Sequence, residues 1–438
     1  MSFTNNHNNS IHRKREKALG VAELIAIALG GMVGGGIFTI LGLSVSLIGV
    51  YTPLAIIFGG VLASLAAYSY VKLAVYYKDE GATYSFYKKT FPSSPFAASL
   101  IGWWVVFGYI STLALYAYTF ASYAISGFAF ADSEWMRKLV AGGVILTFTL
   151  INLWSVKGMG KIEDIMVYAK LVILAIISFV LISNSQTTLP VLLENNGDTD
   201  LMSILIVASI TFVAYEGFQL VIHAINEMDS PEKNIPKAIY SAIFLAVLIY
   251  VVISLGAILA IPFQEIAQNK EYALAAGAGK VLGHWGADLV ILGALLATSS
   301  AISGTLFGAS RLMSVIAKDG YLPRPLSFRN NHIPVYAIVT MSILAFVLVL
   351  VGGLELILEF GSVTFLLVSL LMAYANYKIR NLTNSSSVLT ILAVFGLMSG
   401  TILIFYYEFS TQPQQLFFIG GICILLTAGS WLYSRRRG

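Results

Sequence analysis

Stretches of about twenty consecutive apolar residues, the length needed to cross a hydrocarbon layer of roughly 30 Å, recur from Val21 to Trp431 with only short polar interruptions. No other feature constrains the fold as much. Of the 438 residues 58% are hydrophobic and 11% charged, and the mean hydropathy is +0.82, whereas soluble domains carry roughly 25% charged residues. The composition excludes a water-soluble domain and predicts an all-α integral membrane protein whose solvent is the lipid bilayer.

Apolar runs bounded by charges or prolines place spans at 21–48, 53–77, 96–128, 138–155, 162–183, 203–225, 238–262, 285–310, 333–351, 354–376, 388–407 and 415–434, which makes about twelve transmembrane helices. An even count puts both termini on one side, so the two alternating sets of loops can be compared. One set carries only Arg137, Lys138, Lys270 and Lys280, and Lys170 lies inside a span; the rest of the 26 Lys and Arg fall in the other set or its tails. Cytoplasmic loops concentrate these residues. Both termini are therefore expected in the cytoplasm of a multi-pass cell membrane protein, with residues 1–20 as a retained tail, 435–438 as a basic one, and the acidic stretch from Glu194 to Asp200 outside. The net charge of +4 is accounted for by topology and requires no nucleic acid.

Cys423 is the single cysteine, and His7, His12, His223, His284 and His332 lack ligand-like spacing. A thiolate cluster, a metal site and a cofactor gain no support. An enzyme is the least favoured class, because no nucleophile, base and orienting group recur together in the spans.

Inside hydrocarbon every backbone N–H and C=O needs an internal partner, so irregular backbone survives there only where it lines a protein-enclosed cavity. Two segments predict such a break. Gly30-Gly31-Met32-Val33-Gly34-Gly35-Gly36-Ile37-Phe38 holds five glycines in seven positions, which removes side-chain packing and backbone stiffness together. Phe212-Val213-Ala214-Tyr215-Glu216-Gly217-Phe218 stands in the middle of the sixth span. Transporters built from inverted repeats put discontinuous helices at corresponding positions of the two halves, with the substrate between them. Freed N–H groups favour a carboxylate and freed carbonyls an ammonium, and an α-amino acid fits both. Close helix packing of the glycine-xxx-glycine kind is the alternative for each segment.

Lys170 stands alone near the midpoint of the fifth span. A charge there costs at least ~2.5–3.5 kcal/mol, which makes it a functional candidate; snorkelling to an interface is the alternative, and its four-carbon stem is short for that. A lysine so placed would gain and lose a proton as the cavity alternates sides, which makes the proton the coupling ion. Glu216 is the other charge placed at membrane depth. It would neutralise Lys170, meet a substrate amine, favour substrates with a second positive group, or bond backbone amides. Trp103, Trp104, Phe107 and Tyr109 read as packing or a cavity wall, and Ser299 and Ser300 as hydroxyls facing a cavity or a neighbouring helix.

These residues resemble the amino acid–polyamine–organocation (APC) transporter superfamily. Gly34-Gly35-Gly36-Ile37-Phe38 is similar to its first-helix signature. Glu227 to Pro236 resembles its motif after helix 6, and Ser310-Arg311, Ala317-Lys318-Asp319-Gly320-Tyr321-Leu322-Pro323 and Pro334 resemble the pattern after helix 8. Asp79-Glu80-Gly81-Ala82-Thr83-Tyr84 departs from the usual loop after helix 2. The likeness runs from Val21 to the end and implies the five-plus-five inverted-repeat (LeuT-like) fold: a first repeat over 21–183, a second over 203–376, broken helices 1 and 6, and two accessory helices over 388–434. It also implies a substrate carboxylate on the amides of Gly34, Gly35 and Gly36, and an amine near Val213, Ala214 and Glu216. Val213 stands where relatives often carry a bulky aromatic gate. In proton-coupled prokaryotic members a lysine of helix 5 replaces the bound sodium; Lys170 matches it, with partners expected at Gly30 and Ser300. Cys423 is badly placed to link a partner protein, and none is expected to be obligatory.

The resulting expectation is a secondary active transporter of amino acids or related amines, working by alternating access as a proton symporter. A sodium-independent exchanger and a non-transporting sensor share these features. A channel would need a continuous polar lining, which the spans lack.

Overall fold

The computed structural model of the chain describes residues 19–154, 159–195, 199–330 and 333–435, with backbone alone at 159–165 and 195. The start of the expected N-terminal tail, His332, Lys157 and the last basic residues lie outside the described residues. Among those described, the chain forms helices and their connections, with two isolated bridges, Leu19 to Met228 and Asn330 to Ile333, and no sheet.

The helices are α1 (Val21–Met32), α2 (Gly36–Ile48), α3 (Thr52–Tyr77), α4 (Ala82–Thr90), α5 (Pro95–Ile125), α6 (Glu134–Trp154), α7 (Met159–Ser183), α8 (Leu189–Asn195) and α9 (Leu201–Ile210). They continue as α10 (Leu220–His223), α11 (Pro231–Ala260), α12 (Phe263–Gln268), α13 (Ala273–Leu282), α14 (His284–Lys318), α15 (Val335–Val351), α16 (Leu354–Lys378), α17 (Ser387–Thr411) and α18 (Pro413–Arg435). Ten helical stretches among the described residues are long and apolar enough to cross a membrane. The count falls below the twelve intervals expected because the glycine run cuts the first interval at Met32, and because α15 has only 17 residues. This is a multi-pass membrane protein. The short helices α4, α8, α12 and α13 occupy segments the sequence reads as loops.

Local chemistry sets several helix ends. Pro53, Pro95 and Pro231 stand in first turns, where the missing N–H costs nothing. Ser94 and Asp200 cap α5 and α9 through Ala97 N–H (3.2 Å) and Ser203 N–H (3.1 Å), satisfying donors that a helix start leaves without partners.

The long helix α5 is central and contacts α14, α16, α18, α6 and α15. The remaining packing is reciprocal. α5 lies on α16 as α14 lies on α7, α1 on α11 as α9 on α3, α11 on α7 as α3 on α16, and α5 on α6 as α14 on α15.

Candidate functional site

Both expected breaks interrupt their helices. α1 stops at Met32 and α2 begins at Gly36, with Gly34 N–H reaching back to Met32 O over 2.9 Å. α9 stops at Ile210, a 3-10 turn runs from Thr211 to Tyr215, and α10 begins only at Leu220. Gly217 has φ of +130°, a conformation that glycine adopts without strain and other residues do not. A Cβ there would lie 2.5 Å from the carbonyl carbon of Gly31. The two irregular segments therefore meet backbone to backbone.

Carbonyls freed by the breaks find side-chain donors. The buried Tyr250 hydroxyl, on α11, lies 2.7 Å from Met32 O and 3.1 Å from Ala214 O, so one hydroxyl serves both segments. Tyr116 OH approaches Gly31 O at 3.4 Å. Val213 N–H donates to Ser362 Oγ (3.3 Å). Sequence reasoning missed Tyr250 and Ser362: each stands within a mostly apolar stretch of its helix, with no local pattern to mark it.

Gly34, Gly35 and Gly36 are close-packed. A Cβ on Gly34 would meet Ala301 and Tyr116, one on Gly35 would meet Thr298, and one on Gly36 would lie 3.1 Å from the Cβ of Ala214. These three glycines, Val213 and Ala214 thus stand together at the meeting of the two breaks. They do not line the adjoining cavity.

Lys170 is fully buried on α7. Its Nζ donates to Gly30 O (2.8 Å), at the end of α1, and to Ser300 Oγ (3.1 Å) on α14. Ser300 itself donates to Ala297 O (3.0 Å). The ammonium thus joins the first broken helix to α7 and α14. Among the described residues Ser299 makes no such contact.

A small cavity of about 40 Å3 lies beside the breaks. It is lined by Gly31 and Tyr116, by Tyr109, Thr112 and Phe365, by Glu216, Gly217 and Leu220 of the second break, and by the Gly304 to Leu312 face of α14. Tyr109 is thus a cavity residue. Glu216 is 4% exposed. Its Oε2 accepts from Gln219 Nε2 (2.7 Å), and Gln219 is itself fixed by Gly217 N–H on its Oε1 (3.0 Å). No donor among the described residues reaches Glu216 Oε1.

The two ends of the bundle differ. Toward the Leu19 end the cavity reaches Leu220, His223 and Leu312. There His223 Nδ1 lies 2.7 Å from Glu80 O, and Asp319 accepts from Tyr84 OH (2.7 Å) and Lys88 Nζ (2.5 Å). Partial burial would raise the nearby Asp79 carboxyl, but Lys89 and the Gly81 N–H outweigh it and hold the group below its ordinary value. At the opposite end α12 and α13 lie on α2. Lys270 pairs there with Glu355 (2.5 Å), which also accepts from Gln412 Nε2 (2.9 Å), and a Cβ on Gly42 would overlap the Lys270 carbonyl.

Two further acids are buried, which the sequence reading did not single out: Glu359 on α16 at 1% exposure and Glu408 on α17 at 0%. Their carboxyl groups face each other. Among the described residues no group of three or more His, Cys, Asp or Glu is placed to hold a metal ion.

Comparison with known proteins places these features in a wider set. A family model described as "Amino acid permease" matches residues 19–428. The inner membrane transport protein YbaT of Escherichia coli K12 is 26% identical over 410 residues, covering 93% of this chain and 94% of its own length. The branched-chain amino acid permease BcaP of Bacillus subtilis is 26% identical over 387 residues, covering 81% and 80%. The chloroplastic cationic amino acid transporter 7 of Arabidopsis thaliana is 23% identical over 434 residues, covering 93% and 73%.

Proposed function

The chain belongs to the amino acid permease family, and from that membership we propose that it is a secondary active transporter carrying amino acids or related amines across a cell membrane by proton-coupled alternating access. The observation that carries the coupling is the buried Lys170 ammonium, shared between Gly30 O of the broken helix and Ser300 Oγ. A buried lysine binds and releases a proton according to its surroundings. Parting of α1 from α7 would remove one acceptor and expose the ammonium to water, linking the protonation state to the side on which the cavity opens.

The substrate is received where the breaks meet. Main-chain N–H groups of Gly34, Gly35 and Gly36 suit its carboxylate, and the main-chain carbonyls near Val213, Ala214 and Glu216 suit its amine. In the packed arrangement seen here those glycines are crowded, so binding requires the two segments to separate. Twelve crossings in two inverted five-helix repeats, with α17 and α18 as accessories, are supported by the reciprocal packing of α5 on α16 and α14 on α7. With both termini in the cytoplasm, as the Lys and Arg distribution favours, the cavity leads inward and the Lys270–Glu355 end is the closed outer face.

The test is uptake into proteoliposomes driven by a pH gradient. Lys170→Ala should abolish uphill accumulation while leaving exchange down a substrate gradient. Undiminished gradient-driven uptake by that variant would remove the coupling role.

A further inference from the structure

We propose that Glu216 selects substrates that carry a primary ammonium in addition to the amino acid core, as in lysine-like amino acids; this rests on the substrate being received where the two breaks meet, with its side chain in the adjoining cavity. Relatives named for branched-chain and for cationic amino acids are both similar to the chain, so the distinction must come from its own side chains.

Glu216 lies in the second break, on the cavity wall and almost wholly out of solvent. One oxygen is fixed by Gln219 and the other has no donor among the described residues. A buried carboxylate left without a positive partner is strongly unfavourable, whereas one that meets a cation and completes its hydrogen bonds is not. The zwitterionic core of an amino acid already balances itself against main-chain dipoles. A further positive group on the ligand would supply the charge that Glu216 lacks.

Geometry narrows that group. Gln219 occupies Oε2, so only Oε1 is offered. A guanidinium favours two parallel bonds to both oxygens of a carboxylate, while an ammonium is a compact point donor. One free oxygen suits the ammonium. The rings of Tyr109, Tyr116 and Phe365 on the same cavity would favour a cation near their faces and pack against its aliphatic arm. Tyr109 OH and Gln219 Nε2 are 3.4 Å apart, which holds the wall in place.

The test compares lysine with norleucine, which has the same carbon chain and no terminal ammonium, in binding assays on the full-length protein in detergent. Lysine should bind at least about tenfold more tightly than norleucine, a difference an ion pair in a dry site readily supplies. Glu216→Gln should erase that preference. Equal binding of the two ligands by the unaltered protein, or a preference that survives Glu216→Gln, would overturn the assignment while leaving the meeting of the breaks as the substrate site. Failure of every amino acid and diamine tried to bind the folded protein would overturn both. The first comparison needs no variant, so it decides even where Glu216→Gln does not fold.

Discussion

The Nζ of Lys170 donates to the carbonyl oxygen of Gly30 across 2.8 Å, joining the middle of α7 to the last turn of α1 before its break. The carbonyl belongs to backbone whose helical continuation is lost, so the lysine replaces a partner that a regular helix would have supplied. Lys170→Met keeps most of the packed stem and removes the charge. We expect ligand binding to stay within about tenfold of the unaltered protein, since the ammonium does not line the cavity, while accumulation driven by a pH gradient disappears. Equal loss of binding and accumulation would make the lysine a structural support.

Tyr250 is the donor shared by Met32 O and Ala214 O. Tyr250→Phe leaves two buried carbonyls with one donor fewer, a change worth roughly 1–3 kcal/mol. The melting temperature in detergent should fall clearly, and more than for Tyr168→Phe, whose ring is exposed.

Gly217 meets Gly31 without any side chain between them, at a φ of +130°. Gly217→Ala adds strain of about 1–3 kcal/mol from the backbone conformation alone, with the overlap in addition. Transport should be lost and stability reduced. Gly143→Ala, where a Cβ meets nothing within 4 Å, should be neutral or gain up to about 1 kcal/mol of helix stability.

Glu359 and Glu408 face each other in the interior, where two like charges cannot both persist. The pair is surrounded by Glu355, Tyr407 and, through Glu355, Lys270. Glu408→Gln keeps the shape and removes one charge. The melting temperature at neutral pH should be unchanged or higher, in contrast to the usual penalty for altering a buried polar side chain. A drop of several degrees would show that a charged carboxylate is required there.

How much of this was legible beforehand differs by residue. The five glycines from Gly30 to Gly36 marked the first break because their composition acts locally on backbone freedom. The second break carries only Gly217, yet its place in the middle of an apolar run, beside Glu216, pointed to irregular backbone. Tyr250 and Ser362 were invisible, since their role depends on what the fold brings opposite them. Glu359 and Glu408 read as residues near span ends, and only the packing of α16 on α17 makes them interior. The helices α12 and α13 have a hydrophobic face too short to stand out from a loop. Their purpose is to cover α2.

That cover makes Gly42 more than a spacer. Its missing side chain is what permits the Lys270 carbonyl to settle on α2. Under the alternating access proposed above, residue size at position 42 would act on this closed arrangement and not on an open one. A methyl group would act as a wedge under a lid, and a larger group as a thicker one. Each increment would then shift the ratio of shut to open molecules without touching ligand or proton, and the resting balance of such a cycle would be set by the absence of a single carbon atom.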